Sequence, residues 1–251
     1  MSRLSLIVIA CDEERDLGRC LDSVPMAAEK IVVDSGSSDG TRALAAARGA
    51  QVLEHAWTGY GPQKAFALAQ ATGDWVLNLD ADEALSPELC AAIERAVASA
   101  PASAAGGTVG FELRFESELF GRVLRHGGWG TETHLRLFRR DRVKVAERSL
   151  HEGFVVDGAV GTLPGVVRHW PYASLSEYLQ KLDRYTTLAA AERHRRGRRF
   201  SPLSALRWPW GFFRRYVLKG GALDGYAGFL AAALGGLYDL LKDAKLRELE
   251  P

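Results

Sequence analysis

Cysteine is scarce in this chain of 251 residues: there are three, Cys11, Cys20 and Cys90. An odd number without framework spacing excludes a disulfide-stapled scaffold and points to a reducing compartment. Cys11 and Cys20 stand too far apart for CxxC chemistry. Long hydrophobic runs are missing as well. No apolar stretch of ~18 residues exists, so a spanning helix is not expected. The run Leu4–Ala10 is short for the core of a signal peptide and meets Cys-Asp-Glu-Glu rather than a small-residue cleavage site; it reads as a buried first strand. No GxGxxG follows a strand, no Walker loop is present, and no internal repeat is visible. With 47% hydrophobic and 25% charged residues, the chain is neither disordered nor collagen-like. An overall excess of charge is lacking too, since the net charge is +1, but the two halves differ. Residues 1–110 hold 8 Lys+Arg against 15 Asp+Glu, whereas residues 111–251 hold 24 against 16. An acidic front suits metal or nucleotide chemistry, and a basic back suits an anionic partner.

What is present in the front half is an alternation of strand and helix signals. Strands are expected at Leu4–Ala10, Lys30–Asp34, Ala50–Glu54 and Asp74–Leu79. Helices are expected at about Glu14–Ser23 with Asp12 as a cap, at Thr41–Arg48 stopped by Gly49, over Gln63–Ala71 with Pro62 in the first turn, and after Ser86-Pro87-Glu88. Four βα units in ~100 residues imply an α/β fold: a Rossmann-like, mostly parallel sheet with helices on both faces. Residues 98–107 read as a loop. Beyond it, Val109–Phe115, Thr133–Phe138, Val143–Ala146 and Gly153–Val156 look like further strands. Ser174-Leu-Ser-Glu177 fits a capping box opening a helix to about Arg196, and Ser201–Leu249 reads as a helical, aromatic C-terminal extension.

In open α/β sheets ligands bind outside the C-terminal ends of the strands. Asp12 and Glu13 follow the first strand, Asp34 ends the second, and Asp80 and Asp82 end the fourth, so these carboxylates converge on one edge. Like charges repel, and a divalent cation is a reason for gathering them; Mg2+ and Mn2+ take oxygen ligands, commonly one or two carboxylates beside substrate phosphates. Asp80-Ala81-Asp82 is the sharpest signal, although Asp82 and Glu83 also suit the first turn of a helix. Lys64, at a helix start, faces either a pyrophosphate or solvent.

Three segments resemble family 2 glycosyltransferases. Leu4–Glu14 is similar to the family's strand followed by Asn-Glu-Glu. Ile31–Thr41 is very close to its second-strand motif, and Thr72–Glu83 looks like its metal-binding DxD segment. Gly127-Gly-Trp-Gly130, His134–Arg139 and Leu150-His-Glu152 resemble the subgroup related to bacterial lipopolysaccharide-core β-glucosyltransferases. Cys11-Asp-Glu stands where the family has Tyr-Asn-Glu, a departure that bears on base stacking. The resemblance implies a GT-A fold and inverting transfer from a nucleotide-activated sugar, dependent on Mg2+ or Mn2+. The acceptor would be a lipopolysaccharide-core or other envelope glycolipid; a polyprenyl phosphate acceptor, or a non-catalytic nucleotide-sugar-binding module, is the alternative.

Under that resemblance, Ala10, Asp12, Glu13, Asp34, Lys64, Asp80 and Ala81 would contact the nucleotide sugar, and Asp80 and Asp82 would hold the metal. His151 is either a third metal ligand or a core histidine. Glu132 is the expected general base, with Glu152 the next candidate. Trp129 offers a sugar platform or a core ring. Arg136 would serve the acceptor, and Arg136 with Arg139 either bind phosphate oxygens or form a solvated face. His134 and His169 receive no role. The expected organisation is a catalytic domain over 1–170, with a nucleotide-sugar half 1–107 and an acceptor half 108–170, followed by a membrane-associating extension over 171–251.

That extension carries the last expectation. From Arg184 to Lys219 there are ten basic residues and one acidic residue, Glu192, interleaved or followed by Phe200, Trp208, Trp210, Phe212, Phe213 and Tyr216. Arginines with aromatics on a helical stretch have the composition of an interfacial element for an anionic membrane surface; the alternative is a helical core extension with an arginine-rich solvated face. Nucleic acid is not expected, because Arg193–Arg199 lacks interleaved aromatics. The chain is expected to be cytoplasmic and peripheral on the inner face of the cell membrane.

Overall fold

A computed structural model describes residues 2–99, 107–119, 121–130, 132–145 and 153–250. The chain divides into two compact units, one of residues 1–115 and 132–169, the other of residues 116–131 and 170–251.

The first unit opens with β1 (Leu4–Ala10), α1 (Leu17–Asp22), β2 (Glu29–Asp34), α2 (Thr41–Ala47), β3 (Gln51–Glu54), α3 (Tyr60–Gln70) and β4 (Trp75–Asp80). It continues with β5 (Glu83–Leu85) and α4 (Pro87–Ser99), then β6 (Thr108–Leu119), whose last residues, with β7 (Arg122–Val123), fall in the second unit. The strands β8 (Thr133–Arg139), β9 (Val143–Val145), β10 (Phe154–Val156), β11 (Ala159–Thr162) and β12 (Val167–His169) complete the list. The main sheet has the order β3-β2-β1-β4-β8-β6-β12-β5. β1 is parallel to both β2 and β4, and β2 is parallel to β3. β8 then runs antiparallel to β4 and to β6. This is a mixed α/β fold with a helical C-terminal region.

The strand alternation explains why the central strands are apolar throughout. Leu4, Leu6 and Val8 of β1 face one core with Val32, Trp75, Leu77 and Leu79; Ile7 faces the other with Ile31, Val33 and Val76. Both faces are covered, so each side chain of β1 contributes burial of about 1.5–3 kcal/mol where large. The structure corrects one helix start. Asp12 does not cap α1: it sits at φ +57, and its carboxylate accepts from Ser38 N at 2.7 Å. A turn then intervenes, with Asp16 N donating to Glu13 O, and Asp16 precedes the helix. The short strands β5, β11 and β12 were not foreseen, and Glu83 lies in one of them rather than at a helix start. The loop expected over 98–107 falls largely outside the described residues.

The second unit is built on α5 (Leu175–Arg195), α6 (Arg207–Phe213) and α7 (Gly225–Glu248). Ser174 Oγ accepts from Glu177 N at 3.1 Å, the first half of the expected capping box, while Glu177 Oε2 accepts from Ala173 N, one residue before the cap, at 2.7 Å. Among the described residues no helix is long and apolar enough to cross a membrane.

Candidate active site

The parallel strands β1, β2 and β4 end together, and the loops that leave them are joined by hydrogen bonds. Asp12 N donates to Ser37 Oγ, Glu13 N to Thr41 Oγ1 at 2.8 Å, and Gly40 N to Glu14 Oε2 at 3.0 Å. Asp34 is fully buried. Its carboxylate accepts from Gly36 N, Ser37 N and Ser37 Oγ, so its work in this structure is to fold the loop after β2. Asp12 is exposed and Glu13 partly so; Ala10 and Ala81 are buried small residues at the ends of β1 and β4. Asp12 is the only non-glycine with positive φ among the described residues, which places strained backbone at this edge.

The acidic turn after β4 divides into two groups. Asp80 Oδ1 lies 3.2 Å from Lys64 Nζ of α3, and Asp80 Oδ2 lies 2.9 Å from Arg136 Nη2 of β8. Burial alone would raise the Asp80 pKa, but Arg136 and Lys64 outweigh it and hold the carboxyl far below its usual range. Glu83 Oε1 accepts from the same guanidinium nitrogen at 2.5 Å, and its Oε2 accepts from Asp80 N at 2.9 Å. Its side chain is almost wholly enclosed; burial, with the Asp80 charge, overcomes Arg136 and pushes Glu83 up to about 8. Arg136 is itself 9% exposed, and its guanidinium lies 5.3 Å over the Phe115 ring. Burial disfavours its charge, but Asp80 and Glu83 reverse that and raise its pKa. Expected at the acceptor or on phosphate, Arg136 is placed under the acidic turn, tied to two of its carboxylates. Arg139 pairs with Asp141 at 3.0 Å.

Asp82 belongs to the other group. Its Oδ2 lies 3.5 Å from His169 Nε2, and donor atoms of Asp82, Glu83 and His169 all lie within 4.8 Å of one another. The register explains the meeting: β12 pairs antiparallel with β5, and His169 stands directly opposite Glu83. Burial disfavours protonation of His169, but Asp82 outweighs it and raises the imidazole pKa. One imidazole nitrogen and two carboxylates form a donor set that suits Mn2+ or Mg2+. His169 is the residue that sequence reasoning missed. Its only signal was a three-residue strand, and nothing in the linear sequence aligns it with Glu83. Asp80, expected beside Asp82 as a ligand, is engaged by Lys64 and Arg136.

Glu132 has its side chain about half exposed, 4.0 Å from His134 Nε2, while its carbonyl accepts from Phe115 N at 3.0 Å. Phe115 links the two groups of histidine: its ring meets His134 edge-on at 4.8 Å and His169 at 6.3 Å. Burial, then the charge of Arg136, lowers the His134 pKa. Trp129 lies in the second unit, half-buried against Leu119, Leu124, Ala227 and Ala231. His151 and Glu152 lie outside the described residues.

The profile of glycosyl transferase family 2 matches residues 5–154. The lipopolysaccharide core biosynthesis glycosyltransferase LpsC of Rhizobium meliloti (strain 1021) is 32% identical over 257 residues, covering 97% of this chain and 91% of that protein. An uncharacterized glycosyltransferase of Rickettsia typhi is 29% identical, covering 99% and 88%. Among solved structures, glucosyl-3-phosphoglycerate synthase from Mycobacterium tuberculosis with Mn2+, UDP-glucose and phosphoglyceric acid aligns at a TM-score of 0.48 and 18% identity, over 78% of this chain and 80% of that one. A profile that spans more than half of the chain, and a relative at 32% identity along nearly all of it, establish that the chain belongs to glycosyltransferase family 2.

Proposed function

We propose that this glycosyltransferase moves a sugar, with inversion, from a nucleoside-diphosphate sugar to a lipopolysaccharide-core or related envelope glycolipid. The reaction would depend on Mg2+ or Mn2+ and take place at the inner face of the cell membrane. The observation that carries this reading is the divided turn after β4: two cationic side chains on Asp80, and a histidine-carboxylate donor set around Asp82. The acceptor class rests on the likeness to LpsC, which is named for lipopolysaccharide core biosynthesis.

Asp82 and His169, with Glu83 beside them, would hold the cation. When bound, it supplies Lewis-acid stabilisation of the departing diphosphate. Lys64 is poised to pass from Asp80 to a phosphate oxygen, and Arg136 keeps Asp80 and Glu83 in place beneath the donor. Asp12 and Glu13 offer exposed polar groups to the nucleoside, the loop folded by Asp34 forms its floor, and the small Ala10 and Ala81 permit close approach of backbone. Glu132 takes the proton of the acceptor hydroxyl as its oxygen bonds to the anomeric carbon, and the bond to the diphosphate breaks with the electron pair leaving on the diphosphate oxygen. Trp129 would present a ring to the acceptor sugar. His151 would be a further ligand or a core histidine, and Glu152 is the alternative to Glu132 as base.

A panel of UDP-, GDP-, ADP- and dTDP-linked sugars tests the reading by thermal shift, with and without Mn2+, followed by assay of donor hydrolysis. One donor class is expected to raise the melting temperature in a cation-dependent way. If none does, and no donor is hydrolysed, the reading fails.

A further inference from the structure

The second unit turns its largest apolar side chains outward and its smallest inward. After α5, a 3-10 turn at Pro202–Leu206, α6 and a π-helical turn at Arg214–Leu218 form one nearly continuous helical segment. Its inner face is small: Ser204 and Gly211 are buried. A Cβ on Gly236 of α7 would stand 2.9 Å from Trp208 O, and one on Gly235 would stand 2.9 Å from Arg215 Nε, so α7 is glycine where this segment crosses it. Its outer face is the reverse. Leu203, Leu206, Trp210, Phe213 and Val217 are 73%, 63%, 57%, 43% and 52% exposed. They recur at alternate spacings of three and four, one stripe of a helix. At the turn into α7, Leu223 and Tyr226 are also outward, 74% and 75% exposed. A soluble surface scatters such residues singly; a contiguous row of them marks an interaction site.

Charge identifies the occupant. Exposed basic residues flank the row: Arg198 and Arg199 before it, Arg214 alongside it and Lys219 after it; Arg207, also alongside, is tied to the buried Asp243 at 3.2 Å. A protein partner would need a matching groove, whereas aromatic and leucyl side chains among arginines suit the headgroup–acyl boundary of an anionic bilayer. We infer that Leu203, Leu206, Trp210, Phe213 and Val217 form a shallow wedge that inserts into an anionic phospholipid surface while the flanking arginines pair with lipid phosphates. This rests on the placement at the membrane proposed above and names the surface that achieves it. It needs no spanning helix, only reversible attachment, to which each basic residue adds electrostatic attraction that salt screens.

The full chain is mixed with vesicles of phosphatidylcholine alone, or of phosphatidylcholine with about one third phosphatidylglycerol, a strongly anionic composition. Sedimentation is expected with the anionic vesicles only, reversed by high salt. Brominated phosphatidylglycerol is expected to quench the tryptophan emission, and the quenching is expected to be lost in Trp210→Phe. Trp210→Ser with Phe213→Ser should weaken sedimentation about tenfold or more, because two inserted rings are lost. Both residues are exposed, so the double variant should keep the melting temperature and donor-induced shift of the parent. If the parent binds and the double variant binds equally, the wedge is wrong although the placement at the membrane survives. If the parent ignores anionic vesicles at low salt, both fail. If ultracentrifugation instead shows a dimer that the double variant dissolves, and vesicles are ignored, the stripe is a contact between copies and the inference is overturned.

Discussion

Lys64 Nζ rests 3.2 Å from Asp80 Oδ1, joining the start of α3 to the end of β4 across the edge where a diphosphate would bind. The lysine is only 12% exposed, whereas Asp80 keeps 36% of its side-chain surface open, so solvent reaches the carboxylate more readily than the ammonium. Under the proposed function, such a pair would hold the ammonium in register before substrate arrives.

The first prediction follows from that pair. Lys64→Met should raise the donor KM or lower kcat/KM by about 10- to 100-fold, the loss expected when one charge-assisted hydrogen bond to phosphate is removed. Donor-dependent kinetics at saturating acceptor measure it. Unchanged constants would confine Lys64 to pairing with Asp80.

The second concerns the cation. His169→Ala and Asp82→Asn should each raise the Mn2+ concentration for half-maximal activity by about 10-fold or more. Mn2+ electron paramagnetic resonance on the unliganded protein measures the affinity directly. Equal affinity in parent and both variants would move the site away from this cluster.

The contrast between Asp82 and His169 shows how much could be read from sequence. Asp82 belongs to a short, ordered motif after an apolar strand, and parallel strands bring such motifs to one edge whatever else the chain does. The order of β1, β2 and β4 was legible for the same reason: strands covered on both faces are apolar throughout. His169 is supplied by an antiparallel pairing of two three-residue strands, β5 and β12, with 83 and 169 far apart in the chain. Three residues carry no periodicity, and register is a tertiary property. Arg136 was legible as a charge but not in its task, because burial beneath Asp80 and Glu83, not its neighbours in sequence, decides which anions it meets. Asp12 was misplaced as a helix cap because its positive φ turns the carboxylate toward Ser38 instead.

The third prediction assigns the proton. Glu132→Gln should reduce transfer by about 100- to 10,000-fold, the range of a lost general base, while donor binding stays near that of the parent. Transfer kinetics and donor thermal shift read the two separately. Turnover close to the parent's would shift the role to Glu152.

The last prediction concerns acid stability of the C-terminal unit. Asp224 Oδ2 accepts from Arg125 N at 3.0 Å and His126 N at 2.8 Å, and its Oδ1 pairs with His126 Nδ1 at 2.9 Å. Its side chain is 8% exposed. Burial would raise its pKa, but these donors outweigh burial and hold it below the ordinary value. Asp239 shifts in the same direction, since Lys242 and Arg215 outweigh its burial. A carboxyl with a depressed pKa binds fewer protons in the folded than in the unfolded chain. Its stabilisation is therefore fully present above the unfolded value, about 3.9, and is lost as pH falls through the folded one. Denaturant midpoints followed from pH 7 to about pH 2 should fall steeply below about pH 4. Asp224→Asn should lower the unfolding free energy at pH 7 by about 1–2 kcal/mol, for a weakened buried acceptor, and should flatten the acid slope because the titrating group is gone. An Asp224→Asn slope as steep as the parent's would mean that other carboxylates govern acid unfolding and that the clamp on residues 125 and 126 contributes no pH dependence.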